Sequence, residues 1–157
     1  MRKGRVPTKS GGRGGFAGDM SSLSPDPAQL TARLLRVFGA AHADPDADLL
    51  LRRRAALTFL FTQPDAALRL DGRGGQAVTL TVGEEARSAP SDLTFRMTAR
   101  AAHALWLGEL NPVTAMLAGQ LSVQGPLPLA LALSPSLKVM QAAYRAEILR
   151  ERAEAAS

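Results

Sequence analysis

The sequence is short of the residues that catalysis and metal binding most often use. Its 157 residues include no cysteine, which excludes disulfides, thiolate metal sites and cysteine nucleophiles and permits a reducing compartment. There are two histidines, His42 and His103, far apart in sequence, too few for a zinc site with three or four ligands at workable spacing. Neither Gly-x-Ser-x-Gly nor His-Glu-x-x-His occurs. Aromatic residues make up 4% of a chain that is 46% hydrophobic, so Leu, Ala and Val have to fill the core. No window approaches the roughly 20 apolar residues of a membrane span, and the run Leu127–Leu133 is short and broken by Pro128. Met1–Gly18 lacks the apolar centre of a secretory signal. These absences lead us to expect a soluble cytoplasmic protein that is not an enzyme and carries no metal or cofactor.

What is present is unevenly distributed. Of the net charge of +5, +4 falls in the first nineteen residues, where Arg2, Lys3, Arg5, Lys9 and Arg13 face Asp19 alone. The remainder is nearly neutral, so no nucleic-acid surface is expected on the domain. Residues 1–24 are rich in Gly, Ser and basic side chains and read as a disordered tail, with Met20 a second candidate start. Gly11-Gly12-Arg13-Gly14-Gly15 is a single Arg-Gly piece, weak as an RNA-binding signal.

Residues 25–43 read as an N-terminal helix, capped by Ser24 or Asp26, with Leu30, Leu34, Val37 and Ala41 on one face. That face packs on the domain or on a partner. Asp44, Asp46 and Asp48 resemble the start of a calcium loop, but Leu49 and Ala55 stand where Gly and Glu are required. Residues 44–157 form the main domain. From Ala55 the period is two: Leu57, Phe59 and Phe61 face one way, and Thr58, Leu60 and Thr62 the other. Strands Ala66–Leu70 and Gln76–Val82 complete an antiparallel meander around the Asp71–Gly75 loop. Gly83–Ser91 reads as a polar connection, with Glu84-Glu85 in a solvated turn.

A fourth strand carries Leu93, Phe95 and Met97 on one side. Thr98 then caps a helix to Leu107 that Gly108 stops. Asn111-Pro112 starts another helix through Ala118, Leu121 and Val123 alternate in a fifth strand, and Pro126–Leu133 and Ser136–Ala153 read as helices. In the last, Leu137, Met140, Tyr144 and Ile148 form one stripe.

Candidate polar sites are weak. His42 reads as solvated beside acidic residues, and His103 as a half-buried helix histidine. Arg52-Arg53-Arg54 fits the wet side of a short helix better than a phosphate or lipid-headgroup site. The stronger feature is apolar. Leu57, Phe59, Phe61, Phe95, Met97, Trp106, Met116, Leu121, Val123, Met140 and Tyr144 all point toward a sheet–helix interface. Periodicity does not distinguish a packed core from a cavity lining there.

The order of the motifs adds to this. Asp92-Leu93-Thr94-Phe95-Arg96-Met97-Thr98 precedes a helix, then Leu105-Trp106-Leu107-Gly108-Glu109-Leu110-Asn111-Pro112, then Ala115-Met116-Leu117-Ala118-Gly119-Gln120-Leu121-Ser122-Val123-Gln124-Gly125. The series resembles the sterol carrier protein 2 family, over about Arg52 to Arg145, as in a stand-alone bacterial member. It departs in having Pro126 after Gly125, an Ala-rich Ala99–Ala104 and Ala-Ala-Ser at the end instead of a peroxisomal tripeptide. The resemblance implies an α+β fold, a five-stranded, mostly antiparallel mixed sheet covered on one face by helices. It further implies an apolar tunnel between the layers, lined by the eleven residues named above. The ligand would be a fatty acid, acyl-CoA, or sterol- or isoprenoid-like lipid, bound without chemistry and handed on through transient contact with a partner enzyme or membrane surface. The alternative is an accessory or scaffold protein in lipophilic quinone biosynthesis, docking through the Leu30/Leu34/Val37/Ala41 face.

Overall fold

Alternating polarity from Ala55 onward becomes a five-stranded sheet. The computed structural model describes residues 26–156; the tail read as disordered, 1–24, lies outside the described residues. β1 (Ala56–Thr62), β2 (Ala66–Asp71), β3 (Thr79–Val82), β4 (Leu93–Thr98) and β5 (Leu121–Gln124) are arranged in the order β3-β2-β1-β4-β5. β1 pairs antiparallel with β2 and parallel with β4, while β2–β3 and β4–β5 are antiparallel. The meander is present, and the central parallel pair makes the sheet mixed. β3 starts later than its residue pattern suggests. β2 ends where Asp71 meets Thr79, and the Asp71 carboxylate accepts from the Arg73 backbone N–H at 3.0 Å, turning the chain before Gln76 has a partner.

The helices are α1 (Pro27–Ala41), α2 (Leu49–Arg53), α3 (Glu84–Ser88), α4 (Ala99–Trp106), α5 (Pro112–Leu117), α6 (Leu127–Leu133) and α7 (Ser136–Ala156). Asp26 caps α1 reciprocally with Gln29: Gln29 N–H donates to Asp26 Oδ1 at 2.7 Å and Asp26 N–H to Gln29 Oε1 at 3.0 Å, satisfying two orphan donors. Leu30, Leu34, Val37 and Phe38 are buried as α1 packs on α7 and β2. The surface reserved for an outside partner in the accessory reading is therefore consumed within the molecule. Phe38, i+4 from Leu34, reaches Phe59 of the sheet with ring centroids 5.2 Å apart.

α1 and α7 are also joined by charge. Arg33 donates to both Glu151 oxygens, at 2.9 and 2.7 Å. Glu147, only 7% exposed, accepts from Arg36 Nε and Arg150 Nη2, each at 2.7 Å.

The connection from β3 to β4 must cross the outer face of β2 and β1 to make β4 parallel to β1. It does so through α3, where a polar connection was expected. Ala86 is fully buried against the sheet, and Arg69, 6% exposed, fastens the crossing. Its guanidinium donates to the Pro90 carbonyl at 3.1 and 2.7 Å and pairs with Asp71 at 3.1 Å. On the inner face Phe38 of α1 and Trp106 of α4 meet Phe59, and Tyr144 of α7 packs on Trp106. Among the described residues no helix is long and apolar enough to cross a membrane.

Candidate functional site

Several motif residues turn out to hold the frame of the site. Asp92 Oδ2 accepts from Ala56 N–H at 2.8 Å, and its own N–H donates to the Ala56 carbonyl at 2.8 Å, clamping the starts of β1 and β4. Gly125, at φ 129°, passes so close that a Cβ would sit 2.3 Å from the Asp92 carbonyl oxygen; only glycine fits there. Thr98 Oγ1 caps α4 by accepting from Ala101 N–H at 3.0 Å. Gly108, at φ 83°, ends α4, and Asn111 Oδ1 opens α5 by accepting from Val113 and Thr114 N–H at 2.8 and 3.2 Å.

The register puts seven of the sequence-predicted site residues on the inner face. Phe59 is opposite Phe95 and Phe61 opposite Met97, Leu57 lies two residues before Phe59, and Val123 and Leu121 pair with Phe95 and Met97. Trp106 from α4 meets Phe59 and Phe61 edge-on, with ring centroids at 6.1 and 6.0 Å. Tyr144 from α7 is 5.5 Å from Trp106, and Met140 is buried in the same cluster. Ten of the eleven residues join it. Met116 does not; on α5 it is 44% exposed. Phe38 was missed, although it sits 5.2 Å from Phe59 and 5.7 Å from Trp106. Its i+4 spacing from Leu34 was the available signal.

The cluster is fully buried over part of its extent and half-buried over the rest. Phe61, Met97, Trp106, Leu121, Met140 and Tyr144 are buried, whereas Leu57, Phe59, Phe95 and Val123 are half-buried. Near the β5 edge the helices are apolar on their outer sides as well. Among the described residues, six of the eight exposed large apolar side chains fall between Val113 and Val139. They include Leu117, 86% exposed, and Leu127 and Leu131 of α6. α5 packs on β5, α6 leaves β5 directly, and Leu129, Ala130 and Leu137 lean on the cluster. Exposed apolar residues concentrated in this way mark a binding surface.

The polar candidates have structural roles. His103 Nδ1 and the Tyr144 hydroxyl are hydrogen-bonded at 2.5 Å, and Arg33 Nη1 lies 3.5 Å from the same oxygen. Burial, followed by the nearby Arg33 charge, holds the His103 pKa below its ordinary value, and burial raises that of Tyr144. His42, expected to be solvated, is instead largely covered and meets Asp48 Oδ2 at 2.7 Å, because Asp48 is itself buried as the cap of α2. Arg52, Arg53 and Arg54 are exposed at the end of α2. Among the described residues no three His, Asp or Glu side chains are grouped to hold a metal ion.

A concavity at the end of the sheet was not foreseen. An open cleft of about 830 Å³ lies at the end of the sheet where β1 and β4 finish and β5 begins, and it includes Leu60, Arg96 and Ser122. These three are aligned across β1, β4 and β5 on the outer face. The outward-pointing Leu60 was the sequence signal for it.

The sequence model of the SCP-2 sterol transfer family matches residues 36–138. Among solved structures, the chain is similar to sterol carrier protein domain 2 of Helicoverpa armigera, at 20% identity and a TM-score of 0.54 over 68% of this chain and 85% of that one. It is similar to apo sterol carrier protein 2 of Yarrowia lipolytica, at 19% identity and 0.53 over 69% and 89%. Sterol carrier protein 2-like 2 of Aedes aegypti gives 14% identity and 0.50 over 67% and 96%. At these identities the structures establish the fold alone. No protein of curated function matches significantly. The family match over two thirds of the chain, on this sheet topology, means that the protein belongs to the SCP-2 sterol transfer family, whose domain binds and transfers lipids.

Proposed function

We propose that the protein binds and carries an apolar lipid, of fatty-acid, acyl-CoA, sterol or isoprenoid type, along the inner face of the sheet near β5. The observation that supports this best is the incomplete cover there. Leu57, Phe59, Phe95 and Val123 are half-buried on a face that helices cover, and Met116, Leu117, Leu127 and Leu131 are exposed on the two helices that flank β5. A lipid chain between them removes both sets from water, at about 25 cal/mol per Å² of apolar surface. Phe61, Met97, Trp106, Leu121, Met140 and Tyr144 form the buried part of the cluster against which the chain stops, with Phe61 and Met97 also bordering the cleft at the sheet end. In this reading the protein itself performs no chemistry.

Two substitutions test the location. Val123→Asp places a charge on the sheet floor beside Phe95, and Leu117→Asp places one on a residue already in solvent. In a titration of delipidated protein with a fluorescent fatty acid, Val123→Asp should abolish binding. Leu117→Asp should slow uptake from vesicles while leaving the thermal midpoint unchanged. Binding equal to wild type in a folded Val123→Asp protein would move the lipid away from this face.

A further inference from the structure

The end of the sheet bears a cavity that is lined from the outer face by Leu60, Arg96 and Ser122 and that also reaches Phe61 and Met97 of the inner-face cluster. α3 packs on β2, β3 and β1, and on the outer face beyond it Leu60 is half-buried and Thr62 and Arg96 are exposed. The ends of β1 and β4, with the beginning of β5, form the floor of the cleft of about 830 Å³. Into it come Arg87 from α3, Arg96 from β4 and Arg100 from the first turn of α4. Arg33, Arg36, Arg69, Arg73 and Arg150 each have a carboxylate partner, whereas Arg53, Arg145 and Arg152 lie outside the cleft without one among the described residues. Arg87, Arg96 and Arg100 have neither an ion pair nor a side-chain hydrogen bond among the described residues. Three guanidiniums delivered by three different elements to one concavity, with no protein acceptor, leave a set of donors suited to phosphate oxygens.

The rest of the lining sets the shape of the ligand. Leu60, Ala101, Ala104 and Leu110 give an apolar stretch beside the arginines, and Asp65 and Glu109 bring negative charge. A bare anion would leave the apolar stretch wet, and an uncharged chain would leave the guanidiniums without a counter-charge. A volume of this size accommodates a headgroup and a short length of chain together. We propose that the cleft binds a phosphorylated amphiphile, its phosphate on Arg87, Arg96 and Arg100 and its chain on Leu60, Ala101, Ala104 and Leu110. The phosphate can belong to a soluble phosphoric monoester or to the headgroup of a bilayer lipid.

Calorimetric titration of the full chain with octyl phosphate tests the soluble source, and flotation with phosphatidylcholine vesicles containing phosphatidic acid tests the bilayer source. Wild type should bind at least one of the two saturably. The paired substitution Arg96→Ala and Arg100→Ala should weaken that binding at least about tenfold, and Arg96→Lys with Arg100→Lys should retain part of it. Octyl phosphate binding without flotation assigns the soluble source; flotation without octyl phosphate binding assigns the headgroup. Inorganic phosphate should bind more weakly than octyl phosphate. Both arginines are exposed, so the variants keep their fold, which circular dichroism verifies. Fatty-acid binding on the inner face should be the same in wild type and the alanine pair, which separates failure of this inference from failure of the lipid proposal. Binding of octyl phosphate and of vesicles that is absent, or equal in wild type and the alanine pair, would overturn the proposal.

Discussion

Glu147 sits in the contact between α1 and α7 with its carboxylate shared by Arg150 and Arg36. The hydrogen bond from Arg150, reinforced by Arg36 and opposed by burial, lowers its pKa from 4.5 to about 2. A carboxyl group with a depressed folded-state pKa stabilises the fold above its unfolded value and loses that contribution as pH falls through the folded one. The protein should therefore lose stability between about pH 4.5 and pH 2. Glu147→Gln should cost roughly 1.5–3 kcal/mol at neutral pH and flatten the acid limb, as measured by urea unfolding across that range. Gly125 offers a second check. Gly125→Ala combines strained backbone with a collision against the Asp92 carbonyl, and it should destabilise by about 1–3 kcal/mol or more in the same assay. The sequence marked Gly125 through its place in an ordered motif, but the partner that makes it necessary, 33 residues away at Asp92, is visible only in space. Glu147 was not legible at all, since one glutamate among the charges of α7 looks like any solvated residue.

Elements were legible where their period was long and regular. The inner-face alternation of β1, β4 and β5 and the stops at Gly108 and Gly119 follow directly from residue type. α3 was hidden because a five-residue crossover needs only one apolar side chain, Ala86, to seat it. α1 was read as a helix, but the place of Phe38 in the aromatic cluster was not. Phe38 is 1% exposed and closes the space between Phe59 and Trp106. Phe38→Ala should cost about 3–5 kcal/mol. Trp106 is the sole tryptophan, and its emission should shift to longer wavelength in this variant as water reaches the ring. An unchanged spectrum and midpoint would mean that α1 does not seal the cluster.

At the scale of the molecule, the two faces of the sheet divide the work. The inner face is packed by aromatic side chains around Trp106 and is half-buried at Leu57, Phe59, Phe95 and Val123. The outer face is crossed once by α3 and leaves a basic cleft beyond it. Composition and period alone favoured an ordinary core for the inner face, and it was the order of Asp92, Gly108, Asn111-Pro112, Gly119 and Gly125 that indicated the family. Which apolar residues are buried and which half-buried depends on how α5, α6 and α7 approach the sheet, and one-dimensional periodicity carries no such information. The claim that lipid occupies the half-buried part is tested most directly by native mass spectrometry of the protein purified without added lipid, paired with organic extraction and displacement of a fluorescent fatty acid. The account predicts co-purified lipid, or saturable displacement at micromolar concentration, that is lost in Val123→Asp. A folded protein with no extractable lipid and no displacement would contradict it.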